Sequence, residues 1–358
     1  MRHSQGDDIR VGLLGYGLAG EFFHAPLIHA TPGLRLAAIV TSDAERSSRA
    51  SARYPGARIV PDSDALWALA AELDLVVVAT PNRTHAPLAS RAVEAGLAVV
   101  VDKPLAPTAP EARRLIDQAA AAGVMLTVFQ NRRWDGDFLT VRRLVEEGRL
   151  GNVSRFESRF ERWRPVLKPG WRQQPDPAAA GGLLYDLGSH LIDQALLLFG
   201  PAREVYAELD RRTPGSEVDD DAFVALTHRS GVRSHLWMSS LAAQSGPRFR
   251  VLGDRAGFTK FCLDVQEAAL RSLEPPNGAA WGVDLRESWG LLGAGGDEEP
   301  VETARGAYPE FYRQTVAALR SDGPAPVDPA DAVAVLEIIE AARRSAGERQ
   351  VVRLGEDA

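Results

Sequence analysis

Along the first third of the chain, apolar residues fall into short unbroken runs. Stretches in which they recur every three or four positions separate these runs. The runs cover residues 9–14, 34–40, 57–60, 75–79, 98–101 and 124–129. Their length and continuity predict strands buried on both faces, as in a parallel sheet. The intervening segments near 19–29, 44–53, 64–71, 86–95 and 109–122 predict amphipathic helices. Thr108-x-x-Glu111 is a capping box with Pro110 in the first turn, and Gly123 ends that helix. Strand and helix alternating in this way predict an α/β unit of Rossmann type. Its doubly wound parallel sheet would bind a ligand at the carboxyl ends of the strands.

The rhythm changes after Phe129. A helix near 135–147 stops at Gly148, and 152–160 alternates as a half-exposed strand. Residues 161–181 read as a loop and 182–198 as one helix. Period-two stretches follow at 204–209, 222–228, 233–240, 249–252 and 258–262. This half predicts an α+β domain with a large, mainly antiparallel open sheet. The Gly- and Pro-rich segment 274–300 reads as irregular. Helices at 308–320 and 329–344 close the chain, the second capped by Asp328 with Pro329 at its first position. The expected domains are 1–129, binding a nucleotide, and 130–358, binding substrate and mediating oligomerisation.

Composition narrows the function. A chain of 358 residues is long for one core. The formal charge of −7 excludes a general nucleic-acid binder, which carries a basic excess. Cys262 is the only cysteine, so no intrachain disulfide or thiolate zinc site can form, and the reading calls for no metal. The polar N-terminus lacks a signal-peptide core, and no apolar run is long enough to span a bilayer. The expectation is a cytoplasmic protein that works without a membrane or nucleic acid.

The candidate chemistry lies where strands end. Gly15-Tyr16-Gly17-Leu18-Ala19-Gly20 follows the first strand and opens a helix. Its glycine spacing permits a tight turn, close approach to a pyrophosphate and tight helix–strand packing. The second strand ends in Thr41-Ser42-Asp43, with the acid late for a ribose contact. Ser42 and Arg46 suit a 2′-phosphate, which favours NADP over NAD. A plainer reading makes Ser42-x-x-Glu45 a capping box. Thr80, Pro81, Asn82 and His85 follow the fourth strand, and Asp102 and Lys103 follow the fifth. A lysine there can stabilise a developing alkoxide, or simply pair with Asp102 at the surface. On the helix at 182–198, Asp186 and His190 stand at i and i+4, so a carboxylate can orient an imidazole base. They can equally satisfy one another in a core. Arg132, Arg133 and Trp134, with Trp163, Trp171 and Arg172, offer flat faces and donors to a polyhydroxylated substrate, or pack a seam.

Together the glycine fingerprint, Thr80-Pro81-Asn82-x-x-His85, Asp102-Lys103-Pro104 and Gly181-Gly182-x-x-x-Asp186-x-x-x-His190 resemble the Gfo/Idh/MocA oxidoreductase family. Asp102 stands where that family usually has Glu. The resemblance implies Lys103, Asp186 and His190 as catalytic residues. It implies dinucleotide contacts from Gly15, Gly17, Leu18, Ala19, Gly20, Thr41, Ser42, Arg46, Thr80, Pro81, Asn82, His85, Asp102, Lys103, Trp171 and Arg172. Substrate contacts would come from Lys103, Arg132, Trp163, Tyr185, Asp186 and His190. His24-Ala-Pro-Leu-Ile28, Asn131–Thr140 and Asp186–Ala195 look similar to one branch, the bacterial NADP-dependent scyllo-inositol 2-dehydrogenases. That likeness implies hydride transfer between NADP, or NAD, and a secondary alcohol of a cyclic polyol or sugar, by a homodimer or homotetramer. Another carbonyl or dihydrodiol substrate is an alternative, as is a non-catalytic dinucleotide-sensing regulator. The residues leave open which of Lys103 and His190 is the immediate base.

Overall fold

The apolar runs of the N-terminal third become six strands in the computed structural model, which describes residues 7–167, 170–321 and 323–355. They are β1 (Ile9–Leu14), β2 (Leu34–Val40), β3 (Arg58–Val60), β4 (Leu75–Val78), β5 (Ala98–Asp102) and β6 (Leu126–Phe129). The sheet order is β3-β2-β1-β4-β5-β6, and every pairing is parallel. All of β4 and β6 is buried, as continuous apolar strands covered on both faces must be. Strand order reverses between β1 and β4, which opens a crevice at their carboxyl ends.

A π-helical turn, Ala19–His24, leads into α1 (Ala25–Ala30). It is followed by α2 (Ala44–Arg53), α3 (Ser63–Trp67), α4 (His85–Glu94) and α5 (Ala109–Ala122). The α5 boundaries follow its local chemistry. The Thr108 side chain accepts from the Glu111 N–H at 3.4 Å, and Gly123 takes a left-handed φ of +63°.

The chain divides into two compact units, and the first is not a simple N-terminal block. It comprises the chain through Asn131 together with Gln266–Trp281 and Ala307–Val333. A single cut after Phe129 assigns both returning segments to the other domain. Their place in the first unit comes from tertiary packing. Phe311 and Tyr312, on the helix Pro309–Ser321, pack against Phe129 with ring centres 4.9 and 5.9 Å away, the first edge-to-face, and the Thr127 hydroxyl donates to Val327 O at 2.8 Å.

The second unit comprises Arg132–Val265, Gly282–Gly306 and the chain from Ala334. Its strands are β7 (Val153–Glu161), β8 (Ala202–Asp210), β9 (Asp221–His228), β10 (Arg233–Ser239), β11 (Phe249–Gly253), β12 (Gly257–Lys260), β13 (Gly290–Ala294), β14 (Asp297–Val301) and β15 (Val352–Arg353). They form one sheet in the order β14-β13-β12-β11-β7-β10-β9-β8-β15, antiparallel except where β7 meets β10. Burial along β9 alternates strictly, as one covered face requires. Helices α6 (Gly136–Glu146) and α7 (Ser189–Phe199) belong to this unit, and α7 packs on β7 and β10. Phe199 of α7 meets Phe156 of β7 at 5.4 Å, and Phe156 meets Phe249 of β11 at 5.7 Å. Each such side chain contributes roughly 1.5–3 kcal/mol through burial.

Two sequence expectations change here. Segment 274–300 is not irregular throughout, because β13 and β14 form a hairpin turned by Gly295 and Gly296 at φ +68° and +94°. Pro300 is tolerated because β14 is an edge strand. The helix expected at 182–198 splits into a π turn, Leu184–Gly188, followed by α7. Among the described residues, no helix is long and apolar enough to cross a membrane.

Candidate active site

The glycine loop sits at the crevice between β1 and β4. Gly15 has a φ of +97°, and a Cβ there would lie 2.5 Å from Ala79 O, just past β4. A Cβ on Gly20 would lie 2.0 Å from Gly15 O. Protein atoms therefore exclude a side chain at both positions. Gly17 differs, because the nearest atom to a Cβ there is Arg46 Nη1 at 4.0 Å. The free space at Gly17, at the start of a helical segment, fits a pyrophosphate approaching the backbone. Glu21 N–H donates to Gly17 O at 2.8 Å, closing the first turn, while Leu18 is exposed and Ala19 half-buried.

The tip of β2 settles the role of its acid. Asp43 caps α2, its carboxylate accepting from the Arg46 N–H at 2.8 Å, and that bond holds its carboxyl below the usual range. Ser42 is thus not the cap, and the Ser42-x-x-Glu45 capping box does not form. Thr41 Oγ1 accepts from the Asp43 N–H at 3.4 Å. Arg49 is engaged by Glu21 at 2.7 and 3.0 Å and by Glu45 at 2.6 Å. Arg46 is exposed at the mouth of the Gly17 space.

The ends of β4 and β5 carry the next group. Thr84 Oγ1 lies 2.7 Å from both Thr80 Oγ1 and Pro81 O, and Asn82 is buried. His85 is wholly buried, with Nδ1 2.7 Å from Pro104 O and Nε2 2.8 Å from Thr80 O. Both of its ring nitrogens meet main-chain oxygens. Lys103 N–H donates to Asp102 Oδ1 at 3.0 Å, and the Lys103 side chain starts from a half-buried position.

In the second unit, Gly182 has a φ of +91°, and a Cβ there would lie 2.1 Å from Asp219 Oδ1. Asp219 Oδ2 accepts from the Leu184 N–H at 2.7 Å, and its main-chain oxygen accepts from the Leu183 N–H at 2.9 Å. Burial raises the Asp219 carboxyl above its ordinary range. This residue seats the π turn that carries Tyr185 and Asp186. Sequence reasoning passed over it because its partners are main-chain atoms 35 residues away. Arg172 Nε reaches Asp186 Oδ1 at 3.3 Å, and its guanidinium lies 4.4 Å from the Trp171 ring centre. Arg164, Arg172, Asp186, Asp219 and Ser240 are among the residues lining a pocket of about 140 Å³. Trp163 is exposed and pairs by a single bridge with Leu241. Tyr185 is buried, its ring 6.0 Å from the Arg343 guanidinium.

His190 is buried on α7, and salt-bridged side chains anchor that helix. Arg133 binds Asp193 with two bonds of 2.8 and 2.6 Å. Gln194 Nε2 donates to Arg132 O at 2.8 Å, and Gln194 Oε1 accepts from Arg248 Nη2 at 3.0 Å. Arg132, expected on the substrate, is 6% exposed, as is His190. Arg132 lies 3.4 Å from Asp135 and stacks over Phe160 at 4.6 Å. Its guanidinium is committed to the interior of the second unit.

Comparison with known proteins agrees with this arrangement. A sequence model of the Gfo/Idh/MocA oxidoreductase family for the NAD-binding Rossmann fold matches residues 9–130, and its C-terminal alpha/beta domain model matches 142–354. The chain belongs to this family. The uncharacterized oxidoreductase YdgJ of Escherichia coli (strain K12) is 42% identical over 352 residues, covering 97% of this chain and 99% of its own. The scyllo-inositol 2-dehydrogenase (NADP(+)) IolW of Bacillus subtilis (strain 168) is 35% identical over 352 residues, 97% of this chain and 96% of its own. Among solved structures, the oxidoreductase yvaA of Bacillus subtilis superposes with a TM-score of 0.92 at 34% identity, covering 99% of this chain and all of its own. The protein is an NAD(P)-dependent oxidoreductase of this family, and residues 9–130 match its NAD-binding Rossmann fold.

Proposed function

We propose that the protein transfers a hydride between NADP and a secondary alcohol or ketone of a cyclic polyol or sugar, with scyllo-inositol as the lead substrate. One observation carries the cofactor half of this reading. Asp43, the acid that could have bound a ribose diol, caps α2 through one carboxylate oxygen, and the Arg46 guanidinium is exposed beside Gly17. The loop from Gly15 to Gly20 would hold the pyrophosphate, with Ser42 and Arg46 on the 2′-phosphate. Bound nicotinamide supplies the hydride acceptor or donor. Lys103 would hold the substrate oxygen through its ammonium, and His190 would take the hydroxyl proton with Asp186 orienting it. The Arg172–Asp186 pair, beside the Trp171 face, gives a polyol donors, an acceptor and a flat apolar surface. The IolW likeness supports the inositol choice.

The same proposal includes a homodimer or homotetramer. Support comes from the half-buried row of Phe223, His235 and Trp237 on β9 and β10, in which Phe223 and Trp237 lie 5.1 Å apart. Light scattering of the purified protein tests that part, and a monomer refutes it.

The deciding experiment is a turnover screen with NADP and NAD over inositol isomers, their ketones, aldoses and dihydrodiols, repeated with Lys103→Ala and His190→Ala. Each variant should lose about two to four orders of magnitude in turnover, the scale of a proton-transfer group, while NADPH affinity changes little. Near-native turnover in either variant removes that residue from the reaction. NADPH binding without turnover of any compound would favour a sensing role instead.

A further inference from the structure

Lys103 is flanked by two fully buried histidines of the first unit: His85 hydrogen-bonds the residue after the lysine, and His24 faces the residue before it at ion-pair distance. On one side, His24 Nε2 faces Asp102 Oδ1 at 3.8 Å, and that same oxygen accepts the Lys103 N–H at 3.0 Å. The far side of the His24 ring is fixed, with Nδ1 2.6 Å from Tyr312 Oη and the ring stacked on Phe129 at 4.3 Å. On the other side, His85 lies between Thr80 O and Pro104 O at 2.8 and 2.7 Å, tying the residue after Lys103 to the end of β4. His24, His85 and Tyr312 are all inaccessible to solvent.

We propose that His24 and His85 form a clamp on the Asp102-Lys103-Pro104 segment and act as positioning residues for the Lys103 amine. The proposal rests on the reading of Lys103 as a substrate-binding group.

Burial works to raise the Asp102 carboxyl, but His24, Lys103 and His85 outweigh it and hold Asp102 below the usual range. Asp102 thus faces Lys103 as a carboxylate. Nε2 of His24 is the natural donor to it, which leaves Nδ1 to accept from the Tyr312 hydroxyl. That hydroxyl keeps its proton, because burial and then Asp102 push its ionisation well above the ordinary range. His85 faces two carbonyl oxygens, which only accept, and a neutral ring has one N–H to give. Burial lowers the His85 ring below its ordinary range against the pull of Asp102 and both carbonyls. The neutral ring then holds one side firmly and the other weakly.

The chain has three lysines, at 103, 168 and 260, so the Lys103 amine can be followed directly by NMR of lysine-labelled protein. Lys103→Arg identifies its signal. The position and linewidth of that signal are then compared in wild type, His24→Asn and His85→Asn, alongside thermal unfolding, NADPH affinity and turnover on the compound found in the screen. Each histidine variant should shift and broaden the signal, because the segment that carries the amine is no longer held in one place. Turnover should fall about tenfold, with NADPH affinity held within about twofold. If either variant does not fold, Tyr312→Phe tests the His24 side and His85→Gln, which retains a donor, the His85 side. An unmoved Lys103 signal in the folded variants overturns the clamp. So does a tenfold loss of NADPH affinity in His85→Asn with the signal unmoved, which would make His85 a cofactor residue. Should Lys103→Ala retain full turnover, the role of the lysine fails separately, and the signal still reports on the clamp.

Discussion

At the scale of single residues, the three glycines of the fingerprint do separable jobs, and the structure says which is which. Gly15 faces the backbone just past β4 and Gly20 faces the backbone of Gly15, whereas Gly17 faces open space with Arg46 at its edge. Gly17→Val should leave the unfolding temperature near wild type and abolish NADPH binding by fluorescence titration. Gly20→Ala should instead lower the unfolding temperature, since the Gly15 carbonyl must shift to admit the methyl group. If both behave alike, the division of labour is wrong. The same scale decides the cofactor. Ser42→Asp with Arg46→Ala should lower the NADP-to-NAD efficiency ratio at least about tenfold, because one charged contact is worth ~1.5–3 kcal/mol. The motif spacing made the loop legible in the sequence. It could not show that Asp43 caps α2, because a cap and a ribose ligand use the same side chain one strand tip away from each other.

At the scale of elements, periodicity located almost every strand and helix because burial and period are one signal. It failed where they part. β13 and β14 carry exposed Leu291 and a run of acids, so the hairpin has no alternating apolar face to read. The π turn at Leu184–Gly188 was invisible for a different reason. It buries the same leucines an α-helix would, and the residue that seats its start, Asp219, lies 35 positions away. Asp219→Ala removes the acceptor for the Leu184 N–H, which should cost about 1–3 kcal/mol of stability for a buried donor left unmet. Turnover should fall with it, since Asp186 rides on that turn. Denaturant unfolding and a kcat measurement on one preparation check both. A variant with unchanged stability would show that the turn holds without its seat.

At the scale of the whole molecule, no local pattern announces that residues 266–281 and 307–333 fold with the first unit. The decisive contacts are aromatic packings between Phe129 and residues more than 180 positions away in sequence. What the whole chain does show is a balance of buried titrating groups, and this sets how stability responds to acid. Burial lowers the rings of His85, His228 and His235 below their ordinary range. In the unfolded chain such a ring takes up a proton near pH 6.5, while in the fold it stays neutral. Its contribution is therefore fully present above about pH 6.5 and is lost as pH falls through the folded value. His228, between Gly200 O and Ser234 Oγ, is the clearest case, at about 1.4 kcal/mol for each unit of depression. Asp135 has the opposite sign. Burial raises its carboxyl well above the ordinary range, with Asp264 and Asp137 adding to the rise and Arg132 opposing it. The fold thus binds a proton there more readily than the unfolded chain does, so stability is gained at this group as pH falls. Unfolding temperature should accordingly drop between pH 7.5 and pH 5.5 in the wild type. The drop should shrink in His228→Asn, which starts from a lower value, and steepen in Asp135→Asn, which removes the opposing carboxyl. Equal slopes in all three proteins would mean that neither group titrates differently on folding.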